Sequence, residues 1–324
     1  MNRKLRGNIM LVLTALIWGS SFVAQKSGMD FVGPLTFSGI RTLIGGIVLL
    51  PSIKILDRFR SGRTESGEIE FQEKSSDEII KQKHTLLKGG ILCGVILMVA
   101  GNLQQIGLIY TSAGKAGFIT ALYVIIVPFL GLFLKKKIRP IIWVCVIASA
   151  AGLYMLCIPS GGGFGHLNRG DILIFFCAIL FAAHIMVIDH FSPKVDGVRL
   201  SCIQFFVAGI LSLMFIWADP LLGFALPTLQ TLASSWLPIL YAGVLSCGVA
   251  YTFQIIAQAD ADPTVASMIL CLESVFAVIT GMLFLGETMS PKEITGCIIM
   301  FAAILTAQLP QKNINNLNKE RKVL

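Results

Sequence analysis

Long apolar runs alternate with short polar stretches along the whole chain. Ten apolar segments can be marked, at residues 8–25, 36–53, 89–110, 113–134, 138–158, 171–188, 200–217, 236–257, 263–285 and 293–309. An α-helix rises about 1.5 Å per residue, so these segments match or approach the length needed to cross a hydrocarbon core of about 30 Å. The pattern predicts an all-α integral membrane protein with ten transmembrane helices.

The basic residues indicate how these helices are oriented. If the N-terminus lies inside the cell, the polar stretches on the cytoplasmic side contain most of the 26 lysines and arginines. This asymmetry predicts cytoplasmic N- and C-termini in a multi-pass protein of the plasma or inner membrane. One cytoplasmic stretch, residues 54–88, mixes both charges without apolar periodicity and is predicted to be a flexible loop.

Composition supports the membrane assignment and excludes several other classes. Hydrophobic residues make up 55% of the 324 residues and charged residues only 14%, whereas soluble domains carry about 25% charge. The net charge of +8 follows from the loop asymmetry, so no nucleic-acid partner is indicated. All eight cysteines fall inside apolar segments without metal-ligand spacing or a disulfide framework. No metal and no cofactor are expected.

The two halves of the chain share matching positions. Residues 7–9 (GNI) align with residues 170–172 (GDI), and residues 132–134 (LFL) align with residues 283–285 (LFL). Because five helices per half is an odd number, the second copy must enter the membrane from the opposite face, which defines an inverted repeat. The predicted domains are a first repeat at residues 1–159, a second at residues 160–310 and a cytoplasmic tail at residues 311–324.

Longer stretches of both halves carry a family resemblance. They are ALIWGSSFVAQKSG (15–28), PLTFSGIR (34–41), GNLQQIGLIYTSAGKAGFITALYVIIVPFLGLF (101–133), GDILIFFCAILFAAHIMVIDHFSPKVD (170–196) and AYTFQIIAQADADPTVASMILCLESVFAVITGMLFLGE (250–287). The chain resembles the EamA-like, ten-helix members of the drug/metabolite transporter superfamily. This resemblance implies two bundled five-helix repeats and a secondary transporter, commonly an exporter of amino acids or related metabolites. The chain departs from the family at Ser274, where proline is usual, so the resemblance does not by itself predict a kink there.

Glu273 is the leading candidate for coupling transport to an ion gradient. It lies ten residues past Pro263, which places it roughly 15 Å into its helix and near the bilayer midplane. An ionised side chain at that depth costs at least about 2.5–3.5 kcal/mol. Glu273 could bind and release a proton as access alternates, or it could hydrogen-bond neighbouring helices and hold the bundle together.

Several segments carry polar and aromatic residues three or four positions apart, which places them on one helix face. In a membrane span such a face points into the bundle, where it lines a cavity or hydrogen-bonds across helices. Amide and aromatic groups together suit a small metabolite with polar and apolar parts. The candidate cavity residues are Trp18, Ser21, Gln25, Arg41, Asn102, Gln105, Tyr123, Tyr251 and Gln254.

Arg41 and His184 each allow more than one interpretation. Arg41 lies near the outer end of the second segment, where it could form a structural pair or its long stem could reach the interface. It could instead face the central cavity and bind a carboxylate with its planar guanidinium. The lone His184 is interpreted as a core histidine, with a proton relay to Glu273 as the alternative.

The motif content favours transport over two other functions. The chain contains no GxxxxGK[ST] phosphate-binding loop and neither HExxH nor GxSxG, so ATP hydrolysis and those two kinds of catalysis are not indicated. The alternatives are an integral-membrane enzyme and a sensor or scaffold whose loop at residues 54–88 binds partners. The leading hypothesis is a non-ATP transporter that exports a small metabolite by alternating access. Its expected partners are that substrate, a proton as candidate coupling ion, and the lipid bilayer; the oligomeric state is left open.

Overall fold

The computed structural model is helical and describes residues 3–65, 76–111, 113–135, 138–157, 168–285 and 290–308. The first helices are α1 Arg3–Gly28, α2 Pro34–Glu65, α3 Ser76–Tyr110, α4 Ala113–Ala121, α5 Tyr123–Phe133, α6 Pro140–Cys157, α7 Arg169–Phe191 and α8 Gly197–Met214. A 3-10 segment, Ile216–Leu222, precedes α9 Leu229–Ser234, α10 Trp236–Leu240, a π-helical segment Tyr241–Tyr251, α11 Thr252–Gln258, α12 Pro263–Leu270, α13 Glu273–Leu285 and α14 Pro291–Gln308. These described ranges contain no β-strand.

The helices have the length and composition of a membrane protein. Within the described ranges, six helical stretches are long and apolar enough to cross a bilayer: Arg3–Gly28, Pro34–Ile55, Asp77–Tyr110, Arg169–Phe191, Gly197–Met214 and Trp236–Gln258. The other four predicted segments coincide with shorter apolar helices, Ile119–Phe133, Pro140–Gly152, Pro263–Ala277 and Ile294–Ala307. The all-α membrane class is therefore confirmed, whereas the number of ten spans stays a prediction.

The surface of the bundle is apolar and its interior is partly polar. Large apolar side chains such as Phe133, Val144, Ile147, Leu283 and Leu305 are exposed on the outside. Glutamines, serines, threonines, a histidine and several charged residues are buried inside. This distribution suits a surface that contacts lipid, because polar groups in hydrocarbon need partners within the protein.

The stretch at residues 54–88 is more helical than the sequence predicted. α2 continues to Glu65 and α3 begins at Ser76, so helices occupy both ends of the predicted flexible loop. That part of the prediction was wrong because a lack of apolar periodicity shows only that no helix face is buried. Lysine, arginine, glutamate and glutamine still favour helix formation. The middle of the stretch, residues 66–75, lies outside the described residues.

Two apolar segments are interrupted near their middles. The helix breaks at Leu122 between α4 and α5, and at Cys271–Leu272 between α12 and α13. The amides of Leu122 and Leu272 donate to carbonyls three residues back, at 3.2 Å and 3.1 Å, as in a 3-10 turn. Tyr123 and Glu273 directly follow these breaks. The second interruption therefore forms without the proline that is usual in the resembled family.

Helix α1 packs against several other helices of the bundle. It contacts α13 on one side and the π-helical segment on another, while α3 packs against α7, α2 against α8, and α6 against α14. Gly19 permits the close approach of α1 and α13, because a Cβ there would come within 2.8 Å of the Phe276 Cβ. The Thr14 hydroxyl donates to the Ala250 carbonyl at 3.0 Å and joins α1 to the π-helical segment. The polar face of α1 is thereby held inside the bundle.

Asp219 closes the end of the bundle near the start of α2. This buried residue of the 3-10 segment accepts hydrogen bonds from the amides of Leu35 and Thr36, both at 3.0 Å, and from the Thr36 hydroxyl at 2.6 Å. Backbone amides in the first turn of a helix lack partners within the helix. Asp219, from a distant part of the chain, therefore caps the first turn of α2.

Candidate functional site

A cavity in the middle of the bundle collects side chains from α1, α2, α3, α4, α5, α7, the π-helical segment, α11 and α13. Its volume is about 40 Å³, which leaves room for a few water molecules in this conformation. The lining residues are Trp18, Ser21, Phe22, Gln25, Arg41, Gln104, Thr120, Tyr123, Phe181, His184, Ile185, Ser246, Tyr251, Gln254 and Glu273. A metabolite could enter only if these helices or side chains move apart.

Glu273 lies in this cavity at the first position of α13, and only 3% of the residue is exposed. The Tyr123 hydroxyl donates to Glu273 Oε1 at 3.3 Å. Both side chains leave the backbone directly after a helix break, so the two interruptions bring the tyrosine and the carboxyl group to the same point. The second Glu273 oxygen accepts no hydrogen bond from the described residues, which leaves capacity for a proton or a ligand.

The predicted polar face of α1 lines the cavity. Gln25 Nε2 donates to Ser21 Oγ at 3.0 Å, and the Trp18 indole N–H donates to the Ser246 carbonyl at 3.3 Å. The Trp18 and Tyr251 rings have centroids 4.5 Å apart. These contacts fix an aromatic wall beside an amide and a hydroxyl group, which can contact both apolar and polar parts of a small molecule.

Arg41 also lines the cavity, and the residue is 8% exposed. Its guanidinium lies over the Phe37 ring, with the carbon 5.6 Å from the ring centroid. Nε is buried and has no hydrogen-bond partner. The structure therefore places Arg41 inside the bundle and not at the lipid interface, which decides between the two locations that the sequence left open.

Asn102 and Gln105 lie outside the main cavity. Asn102 Nδ2 donates to Ser212 Oγ at 3.0 Å. Asn102 and Arg41 both line a smaller cavity of about 20 Å³. Gln105 is completely buried, and its Nε2 donates to the Gln25 carbonyl at 3.3 Å. Both amide side chains thus connect helices. The nine cavity candidates and Glu273 make ten candidate residues, and the other eight border the main cavity.

Seven cavity residues were not among the cavity candidates selected from the sequence, including Gln104, Thr120 and His184. Gln104 Nε2 donates to Thr120 Oγ1 at 3.1 Å. His184 Nε2 is hydrogen-bonded to Gln204 Oε1 at 3.1 Å, so the histidine is both a satisfied buried residue and part of the cavity wall. Neighbouring glutamines at 104 and 105 cannot be ranked from spacing, because the rotation of α3 decides which of them faces the cavity.

The cavity combines one acidic group, one guanidinium, amides and aromatic rings. Such a set can bind a small molecule and exchange a proton. Within the described residues, no cluster of three or more His, Cys, Asp or Glu side chains is arranged to hold a metal ion.

Comparisons with known proteins agree with this architecture. The profile of the "EamA-like transporter family" matches the chain twice, over residues 5–158 and residues 168–307. An "uncharacterized transporter" of Archaeoglobus fulgidus is 28% identical over 310 residues, which cover 95% of this chain and 87% of the relative. The "uncharacterized inner membrane transporter YedA" of Escherichia coli is 25% identical, with 90% of this chain and 87% of the relative covered.

A solved crystal structure shares the fold. Its TM-score with this chain is 0.67 at 17% sequence identity, and the match covers 93% of this chain and 96% of the other. At this level of identity the likeness concerns the fold alone.

Proposed function

This chain is a membrane transporter of the EamA-like transporter family, and we propose that it exports amino acids or related small metabolites by alternating access without ATP. The proposed location is the plasma or inner membrane, with both termini in the cytoplasm. The proposed role includes no enzymatic step.

The observation that carries this proposal is the central cavity with Glu273 and Arg41 in its wall. Charged side chains inside a membrane bundle are costly and usually mark a substrate or ion route. Amides, hydroxyl groups and aromatic rings from seven other helical elements meet at the same place. A purely structural bundle would have no need to gather these groups around a common space.

An inverted repeat provides the means of alternating access. The two matches to the family profile divide the chain at about the predicted boundary. The packing supports the same division. If the two repeats are exchanged, α3 corresponds to the segment around α11, and α7 corresponds to α1. Both pairs are in contact: α3 packs against α7, and the segment around α11 packs against α1. Gly170 approaches the Gly107 carbonyl, and Gly7 approaches the Ala257 carbonyl, as expected for corresponding contacts. Two such halves can rock about a central site and open it to either side.

Glu273 is the proposed coupling residue. Its carboxyl group has one tyrosine donor and lies in the cavity that a substrate would occupy. A carboxyl group in this position can hold a proton while the cavity faces one side and release it to a substrate or to water on the other. Export would then be driven by the proton gradient.

Release from liposomes tests this function. The purified protein is reconstituted into liposomes loaded with a mixed pool of amino acids and small metabolites, and released compounds are identified by mass spectrometry with and without a pH gradient. We expect selective release that the gradient accelerates. Glu273→Gln should lose this acceleration while reaching the membrane in normal amounts, because the amide cannot carry a proton.

The matched control is Asp260→Asn, which makes the same chemical change at an exposed residue and should leave release unaltered. Selective release that does not respond to the pH gradient would indicate that Glu273 has a structural role and does not couple transport to protons. A protein that releases no compound above the rate of empty liposomes would contradict the proposed export.

A further inference from the structure

We propose that Arg41 binds a carboxylate of the transported compound, so that the cavity selects acids and zwitterions with an apolar body over compounds that carry only an amine. The inference rests on the proposed transport function, which it deepens by assigning one substrate group to one side chain. The sequence left Arg41 between a structural pairing, an interfacial position and substrate contact.

The first support is the lack of a counter-ion for a buried cation. Arg41 is 8% exposed, and no carboxylate of a described residue lies within 4.0 Å of its guanidinium. Nε has no hydrogen-bond partner among the described residues. A guanidinium has five N–H donors and stays charged in proteins, so burial without an acceptor is unfavourable until an anion arrives.

Other charged residues of the bundle have partners that Arg41 lacks. Arg199 forms an ion pair with Asp57 at 2.8 Å, with both side chains about half exposed. Arg139 donates to the Ala307 carbonyl at 2.8 Å. The buried Asp219 accepts three hydrogen bonds. These charged residues all have partners among the described residues, whereas Arg41 lacks one and borders a cavity in which a ligand could supply the missing group.

The surroundings of Arg41 determine what else the ligand must carry. Trp18, Phe22, Phe181 and Tyr251 line the same cavity, and aromatic walls favour an apolar body. A carboxylate can receive two parallel N–H bonds from one guanidinium. A compound with an amine and no acid would instead place a second positive charge near Arg41 without satisfying its donors. The expected class is thus small carboxylates, zwitterions included.

The test compares acids with matched analogues that lack the carboxylate. The probes are the amino acids and their carboxamides, which keep the side chain and the amine but lose the acid. Liposomes containing the protein are loaded with an equimolar mixture, and protein-free liposomes give the passive leak. A second arm measures the melting temperature of the detergent-purified protein with each probe, which reports binding without transport.

For the wild type we expect acids to leave at least about tenfold faster than their carboxamides and to raise the melting temperature more. Arg41→Gln should slow acid release at least about tenfold and remove the preference for acids. Arg41→Lys keeps the charge without the planar pair of donors, so it should retain part of the preference. Arg199→Gln is the control outside the cavity and should behave as the wild type does.

Equal handling of acids and carboxamides by the wild type would overturn the inference, as would an Arg41→Gln variant that keeps the preference. If Arg41→Gln does not accumulate in the membrane, the inference is tested by the comparison of acids with carboxamides in the wild type and in Arg41→Lys. Absence of any release would count against the proposed export. The melting-temperature measurements would then test carboxylate binding by Arg41 separately. In that arm, stabilisation by acids that Arg41→Gln loses supports the inference, and no stabilisation by any acid refutes it.

Discussion

Asp219 and Glu273 are both buried carboxyl groups, yet they differ in hydrogen-bond partners and in surroundings. Asp219 accepts hydrogen bonds from two amides and one hydroxyl group and holds the first turn of α2. Glu273 has the single tyrosine donor and borders a cavity. A carboxylate whose two oxygens both accept hydrogen bonds stabilises the fold, whereas one with a free oxygen at a cavity can take part in proton exchange. Residue type and burial alone would not separate the two.

We predict that Asp219→Ala lowers the stability of the protein by about 1–3 kcal/mol, because the cap of α2 is lost and two buried amides are left without an acceptor. The measurement is the melting temperature of the detergent-purified variant. Asp260→Ala, an exposed residue, serves as the control and should melt with the wild type. An unchanged melting temperature for Asp219→Ala would show that the cap contributes little.

The sequence predicted some residues of the site and missed others for a physical reason. Trp18, Ser21 and Gln25 could be found because a polar face on an apolar helix must point away from lipid. Gln105 was selected and Gln104 was not, although Gln104 lines the cavity. Adjacent residues on a helix differ by about 100° in direction, and only the packed rotation of α3 decides between them. Asp219 could not be found either, since its partners lie more than 180 positions away.

At the level of single elements, the two helix breaks position the site. The apolar runs predicted the helices themselves, and Pro263 and Pro291 begin α12 and α14. The breaks could not be predicted, because residues 119–126 and 269–276 contain no proline. In α13, the Ser274 amide donates to the Cys271 carbonyl at 3.2 Å, and its hydroxyl donates to the Gly117 carbonyl at 3.1 Å. Contacts between helices thus stabilise a turn that the local sequence does not reveal.

Ser274→Pro tests whether the helix is interrupted at this point. Ser274 is the second residue of α13, and proline is tolerated in the first turn of a helix. The change should cost about 1–2 kcal/mol through the two lost hydrogen bonds. Ile279→Pro, seven residues into α13, should cost about 3 kcal/mol or more. Melting temperatures of both variants provide the comparison, and equal losses would indicate a continuous helix.

For the whole molecule, hydropathy and charge predicted a polytopic membrane protein, and the structure and the family match agree with that class. The extent of α2 and α3 beyond the apolar runs was missed, because helices that leave the membrane carry no apolar face to mark them. The cavity was predicted only as a set of helix faces. Its small volume of about 40 Å³ depends on how the whole bundle packs and cannot be predicted from any single helix.

Alternating access requires that this cavity open to both sides of the membrane. Ser246 lines the cavity and is 3% exposed, so Ser246→Cys places a thiol there with a small change of shape. Ser149→Cys is the matched control, because Ser149 is fully buried and lies outside the cavity wall. The six described native cysteines are buried, and peptide mapping by mass spectrometry separates their labelling from that of the new thiol.

The most direct measurement is the labelling of Ser246→Cys by a membrane-impermeant thiol reagent, applied separately to right-side-out and to inverted membrane vesicles. We predict labelling in both preparations, because the proposed mechanism opens the cavity in turn to each face, and no labelling of Ser149→Cys in either. Labelling of Ser246→Cys from one face only, or from neither face in a variant that still transports, would contradict alternating access through this cavity.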